Sequence, residues 1–339
     1  MKKYLLPKEG KFYKACLHTH TNVSDGELSP EEIKKVYQEH GYSIVAYTDH
    51  EIMVPHTDLI DENFIAITGT EISINQKRDC DFMFTKCYHL NFYSKDPNKS
   101  VYSSFDKSVL WLKHVDDFID LKQWEIQYDR VYSVECINEM IKMANEEGCF
   151  VSLNHPVWSL QDYSDYIQLK GLWGVEWHNS GCNDMGYFDS IKPIDDLLRE
   201  GERVLPLATD DTHSIKFAFG GWVMVKASEL TYDVVYEALK NGEFYSTEGP
   251  KIEELYIEDG IINIKTSKVK RIIVTADKRY VYPFEAKEGE YLTEASMDVT
   301  WYLQRCDETI NKYEYLRITL IDEYGKIAHS RAYFLEELL

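Results

Sequence analysis

The chain reads as an α/β protein that ends in a small antiparallel β unit. Three observations lead there. Over the first two thirds, apolar runs of four to six residues alternate with amphipathic segments. Runs of that length suit strands buried on both faces, and the alternation implies a parallel sheet or barrel. After Gly249-Pro250 the pattern becomes short alternating runs separated by turns such as Asp259-Gly260 and Glu323-Tyr324-Gly325. That rhythm is an antiparallel sandwich of roughly 90 residues. Third, 44% apolar and 28% charged residues over 339 positions make an ordinary packed core, with length for about two domains. The expected division is 1–249 and 250–339.

The expected strands of the first part are 13–17, 44–47, 64–68, 87–92, 149–153, 174–177 and 204–208. Ser29-Pro30-Glu31-Glu32 opens the clearest helix. Ser29 suits the N-cap, Pro30 the first helical position, and Glu32 completes a capping box. Gly41 stops it. Further helices span 133–147, 190–200 and 232–240, each followed by a glycine within two residues. Residues 94–130 break the rhythm and carry Trp111 and Trp124. They read as a surface insertion with local helices or as a lid over a site. The tail strands are expected at 255–258, 261–265, 271–275, 297–302, 316–321 and 327–334.

With 58 acidic and 37 basic residues the net charge is −21. A broad grip on long nucleic acid or anionic lipid needs the opposite sign, so neither partner is expected. No apolar stretch approaches the roughly 18 residues of a membrane helix. Residues 1–8 lack an apolar signal region, so no export is expected. Seven cysteines without a C-x-x-C pair read as reduced thiols in a cytoplasm.

The polar chemistry gathers where the expected strands end. The first strand runs into His18-Thr19-His20, whose imidazoles, two apart on a strand, point the same way and can share a metal. Asp25 follows on the next loop. The second strand runs into Thr48-Asp49-His50, the third into Gly69-Thr70-Glu71, and the fourth holds His89. The fifth runs into Asn154-His155-Pro156 and the sixth ends in Glu176-Trp177-His178-Asn179. The seventh runs into Asp210-Asp211-Thr212-His213. Seven of the 11 histidines fall at or just after strand ends. So many costly polar groups would be hard to bury together without metal. Histidine and carboxylate without thiolate suits Zn²⁺, Mn²⁺ or Fe²⁺ and does not choose among them.

These motifs, with Ser24-Asp25-Gly26 and Pro30-Glu31-Glu32, resemble those of the PHP (polymerase and histidinol phosphatase) family over roughly residues 11–250. Residues 242–250, Gly174-Val175-Glu176 and the tail sandwich resemble its carbamate-hydrolase-like branch. The resemblance implies a distorted seven-stranded (β/α) barrel with two or three divalent metals. His18, His20, Glu71 and Asp211 would hold the first. Glu71 would bridge to a second on His89 and His155. Asp25, His50 and His213 would hold the third. His89 has the least distinctive surroundings and also reads as a rim histidine bonded to a neighbour. Asp210 could stand in for Asp211, though the i, i+2 spacing with His213 favours Asp211.

The implied activity is a metal-dependent phosphoesterase acting on a small phosphate ester through a metal-bridging hydroxide. Asp211 would accept or relay a proton. His178 would serve as leaving-group acid or contact substrate; its plainer reading is a rim histidine. Asn154 would fix a loop or orient His155, Asp210 would assist, and Arg78 would meet a substrate anion or stand as an exposed loop charge. A second reading is a carbamate, ester or amide hydrolase, with a wider apolar cleft roofed by Trp111, Trp124 or Trp158. A third is a metal-stabilised scaffold that binds a partner through its tail. The full ligand set argues against the third, because a retired site has no physical reason to keep costly charges.

Overall fold

Each of the seven apolar runs of the first part forms a strand. The computed structural model describes residues 2–77, 82–110, 112–304 and 314–339. A short β1 (Lys2–Tyr4) precedes β2 (Lys11–Cys16), β3 (Tyr42–Tyr47), β4 (Ile65–Asn75) and β5 (Cys87–Ser94). Then come β6 (Cys149–Leu153), β7 (Gly174–Asn179), β8 (Leu205–Thr209), β9 (Trp222–Ala227) and β10 (Phe244–Thr247). β6, β7 and β8 are buried at every residue, the polar Glu176, His178 and Asn179 at the end of β7 included.

In α1 (Pro30–Glu39) the Ser29 side chain accepts from the Glu32 N–H, and Glu32 accepts from the Ser29 N–H in return. Next are α2 (Val134–Glu146), α3 (Tyr163–Tyr166), α4 (Ser180–Asp184), α5 (Lys192–Arg199) and α6 (Tyr232–Lys240). Side-chain caps start α1 to α4, while α5 and α6 begin without one. Residues 94–130 hold short 3₁₀ turns at Lys107–Val109, Lys113–Asp117 and Gln123–Glu125.

The sheet is mixed where an all-parallel one was expected. Its path runs β9-β2-β3-β4-β5-β6-β7-β8. β2–β3, β3–β4, β6–β7 and β7–β8 pair in parallel, whereas β5 is antiparallel to both neighbours and β9 to β2. The described part of the link from β4 to β5 holds a 3₁₀ turn at Phe82–Phe84 and no crossover helix. Without a crossover the chain returns antiparallel. No ladder joins β8 to β9 among the described residues, so the sheet is open. One parallel bridge, Thr19 to Thr212, links the chain just after β2 to the chain just after β8.

The tail is antiparallel, with β11 (Ile252–Glu258), β12 (Ile261–Val269), β13 (Arg271–Ala276) and β14 (Val281–Glu285). It continues through β15 (Leu292–Asp298), β16 (Tyr315–Ile321), β17 (Ile327–Ser330) and β18 (Tyr333–Phe334). β1, β11, β12 and β15 form a separate sheet, while β14-β13-β16-β17 continues the main sheet by pairing β17 with β10. Leu255, Ile257, Ile262 and Ile264 pack with Ile272, Val274, Ile318 and Leu320 in one buried cluster. No helix among the described residues is long and apolar enough to cross a membrane.

Candidate metal centre

Sheet register assembles the site. Beyond β2 and β8 the chain segments run side by side: His20 N–H donates to Thr212 O and Asp211 N–H to His18 O, both at 3.0 Å. That brings His18 and His20 against Asp211 and His213. β4 extends past the end of β3, so Glu71 forms a parallel bridge with His50. On the antiparallel side Glu71 lies opposite Asn91 and Ser73 opposite His89. With a side-chain period of two, Glu71 and His89 share a face. Asn91 lies opposite Ser152, which sets β6 to deliver Asn154 and His155 to the same place.

Three overlapping donor groups result: His18, His20, Glu71 and Asp211; Glu71, His89 and His155; and His20, Asp25, His50 and His213. In the first, His18 Nε2 lies 3.1 Å from His20 Nε2 and 3.3 Å from Asp211 Oδ1, and His20 Nε2 lies 3.1 Å from Asp211 Oδ1. In the second, Glu71 Oε1 stands 3.2 Å from both His89 Nδ1 and His155 Nε2. In the third, Asp25 Oδ2 is 3.3 Å from His213 Nε2 and 3.7 Å from His50 Nε2. Ligand atoms about 2.0–2.2 Å from a divalent ion stand about 3.3 Å apart at tetrahedral corners. These spacings therefore fit cations. So do two buried atoms, His20 Nδ1 and Asp211 Oδ1, that have no hydrogen-bond partner.

Charge tells the same story. Burial opposes protonation of His18, yet Asp211, Glu71 and Glu176 outweigh it and raise its pKa well above the ordinary value. Burial likewise opposes charge on His20, but Asp211 and Glu71 hold its pKa up at about 10. Burial should raise Glu71 and Asp211; His18 and the neighbouring imidazoles pull both carboxyls well below their usual range instead. Without metal, protons supply the positive charge that the carboxylates need. Cations can replace them.

Three residues that sequence reasoning did not assign to the site, Glu176, Asn179 and Asp49, hold it in place. Glu176 is fully buried. Its Oε1 accepts from His18 Nδ1 at 2.8 Å and from Thr209 Oγ1 at 2.7 Å. Its Oε2 accepts from His155 N–H at 2.8 Å and Asn179 Nδ2 at 2.9 Å. Binding the Nδ1 proton of His18 directs its Nε2 toward the cluster. Asn179 Nδ2 also donates to Asp211 Oδ2 at 3.2 Å. The available signal for Glu176 and Asn179 was their place at the end of the sixth strand. Asp49 accepts from Thr21 N–H, Thr21 Oγ1 and Ser24 Oγ, pinning the loop that carries Asp25.

The other expected site residues fall as follows. Asn154 Nδ2 donates to Glu71 Oε1 at 2.8 Å, so it orients Glu71. Asp210 accepts from Tyr37, Ser180 and the N–H groups of Phe219, Gly220 and Gly221, which makes it a loop clamp outside the donor groups. His178 lies outside them too. A register shift between Glu176 and His178 turns it toward Ser180, 3.2 Å from Nε2, and Asn183, 2.9 Å from Nδ1. Arg78 and Trp111 lie outside the described residues. Trp158 stands beside His89 and His155, with ring centres 5.3 and 5.1 Å away. Trp124 packs instead against Phe105 in the core. His155 and Asp211 have φ of 26° and 54°, a left-handed backbone that costs non-glycine residues about 1–3 kcal/mol. Such strain persists where surrounding contacts over-determine it, as they do here.

No family model and no curated protein matches the chain. Among solved structures it is similar to a two-domain protein from Bacteroides vulgatus containing a predicted PHP-like metal-dependent phosphoesterase. The identity is 14% over 98% of each chain, with TM-score 0.45. It is similar to an amidohydrolase from Chromobacterium violaceum with bound sulfate and no metal, at 16% identity over 59% of this chain and 88% of that one, TM-score 0.37. It is also similar to a lesion-specific endonuclease from Pyrococcus furiosus, at 16% identity over 68% and 56%, TM-score 0.40.

Proposed function

We propose that the chain is a metal-dependent hydrolase of the PHP type that cleaves a small phosphate ester. The observation that carries this reading is ligand sharing: Glu71 belongs to two donor groups and so does His20. Adjacent sites with a common carboxylate suit two or three cations working together. When bound, such cations lower the pKa of a water and polarise the phosphoryl oxygen. Asp211 supplies a carboxylate whose Oδ1 faces His18 and His20 and would take or relay a proton, while Asn179 holds Oδ2. Glu176 keeps His18 in the ligating tautomer, and Asn154 fixes Glu71. His178 is assigned no step, because both ring nitrogens face neighbouring polar side chains.

The third donor group favours phosphoester over carbamate or ester chemistry, since a phosphoryl group has more anionic oxygens to neutralise. Residues 1–249 would form the catalytic unit and 250–339 its companion. Cys16, Cys87, Cys136, Cys149 and Cys182 are unbridged, which supports a reducing cytoplasm as its compartment. The test is metal content per chain, then turnover with added Mn²⁺ of a chromogenic phosphomonoester, a phosphodiester and an aryl carbamate. Two or three metals with phosphoester turnover is the expected result. Turnover of the carbamate alone would move the carbonyl reading to the front. Absence of both metal and turnover would leave the binding scaffold.

A further inference from the structure

The insertion 94–130 leaves the main sheet after β5 and returns before α2, and it grips the site at two points. At the first, the Tyr102 hydroxyl donates to the Glu51 carbonyl at 2.7 Å, and Arg130 Nη1 donates to Glu51 Oε2 at 2.6 Å. Glu51 directly follows His50. Its φ is 64°, and its N–H donates to Glu71 O at 2.8 Å. At the second, His114 Nε2 donates to the Ser24 carbonyl at 2.7 Å, on the peptide that leads into Asp25. Between the two points Val115 packs with Val23 and Ile52, all three buried. Val23 stands two residues before Asp25 and Ile52 two residues after His50. One insertion thus holds both chain segments that bear Asp25 and His50. His18, His155 and Asp211 are held instead by Glu176 and Asn179.

We infer that 94–130 is a positioning element for the donor group of Asp25, His50 and His213, acting through His114 and Tyr102 to set the affinity of that one cation site. The inference rests on the metal-centre reading above. The physical reason lies in where the donors come from. Asp25 sits on a loop, and its oxygens stand 3.3–3.7 Å from the histidine nitrogens, against 3.1–3.3 Å among the first group. A ligand borne on a loop needs its flanks fixed before it can hold a cation tightly. Removing a partner that orients a ligand typically lowers metal affinity about 10–100-fold.

The test titrates metal-free protein with Mn²⁺ alone by calorimetry and counts bound manganese by plasma mass spectrometry after gel filtration. Five proteins are compared: the parent chain, Asp25→Ala, His114→Phe, His114→Gln and Tyr102→Phe. Asp25→Ala identifies the equivalent that belongs to this site. The expected result is a 10–100-fold loss at that equivalent alone in His114→Phe and Tyr102→Phe. His114→Gln keeps an N–H for the Ser24 carbonyl and should recover most of the affinity. Unchanged affinity at every site in both His114→Phe and Tyr102→Phe overturns the inference. So does an equal loss at all sites, which marks general loosening, or an Asp25→Ala protein that keeps every equivalent. A parent chain that binds no Mn²⁺ removes the metal-centre reading itself, a failure separate from the others.

Discussion

Glu71 shows how much one side chain carries. Its two oxygens meet five imidazoles: His18, His89 and His155 on Oε1, His20 and His50 on Oε2, at 3.2–3.3 Å. Glu71→Ala or His20→Ala is expected to abolish hydrolysis and to lower metal content; unchanged turnover in both would sink the assigned site. Glu176→Ala frees the Nδ1 of His18 and should weaken metal binding about 10–100-fold, read as a shift in the Mn²⁺ titration. Retained affinity would show that His18 is oriented without it. The pKa of His20, held at about 10 by Asp211 and Glu71 against burial, sets a pH dependence. At neutral pH a cation must displace that proton, so binding releases protons and tightens as pH rises. Calorimetry in two buffers of different ionisation heat should show net proton release at pH 7; no release contradicts it. In metal-free protein the sign reverses. The raised pKa stabilises the fold fully below the ordinary value of 6.5, and this contribution is lost as pH rises through about 10.

Elements position those residues through close backbone approaches. A Cβ on Gly26 would stand 2.5 Å from the His20 carbonyl oxygen, so the loop carrying Asp25 can lie against His20 only with glycine there. Gly26→Ala is expected to push that loop away and to cost manganese at the Asp25 site with little change in secondary structure. Metal content and circular dichroism together check it; full metal content would show that the loop yields elsewhere. Helix α1 tests local sequence logic alone. Ser29→Ala removes the cap to Glu32 and should cost about 1 kcal/mol in urea denaturation. The cap was legible because capping depends on residues three apart. The reversal of β5 was harder to read. A buried antiparallel strand and a buried parallel one have the same apolar run, and only the pairing partner separates them.

At the scale of the molecule, the tail is tied to helix α5 by a buried ion pair. Arg317 on β16 donates from Nε and Nη2 to the two oxygens of Asp195 on α5, at 2.9 and 2.8 Å, and the Tyr315 hydroxyl adds a bond at 3.1 Å. Arg317→Ala strips Asp195 of its charged partner in a buried setting and is expected to cost about 3–5 kcal/mol in thermal or urea unfolding. A loss under 1 kcal/mol would mean that water reaches Asp195. The same region borders the site strand. His329 on β17 packs edge-on to Trp177 at 4.6 Å, and Trp177 Nε1 donates to Ser246 Oγ at 2.8 Å. Trp177 follows Glu176 directly, so the tail packs on the strand, β7, that supports the donor cluster.

The expected tail strand at 297–302 is not kept, since Thr300–Leu303 is helical. The sequence by itself determined the seven strands of the first part, the start of α1 and the gathering of histidines and carboxylates at strand ends. Those features are written in short-range chemistry: apolar run length, cap spacing, and histidines and carboxylates at strand ends. His89 needed the structure. Its motif is plain, and only the register that places it opposite Ser73, two residues from Glu71, brings it to the cluster. The choice between Asp210 and Asp211 follows the same logic. Neighbours in sequence, they differ because Asp210 is filled by five donors from three other segments, while Asp211 keeps an oxygen open. Glu176, Asn179, His114 and Tyr102 also acquire their parts only in three dimensions. Each works through a partner distant along the chain, and such pairings are fixed by the packing of sheet and insertion rather than by any local pattern.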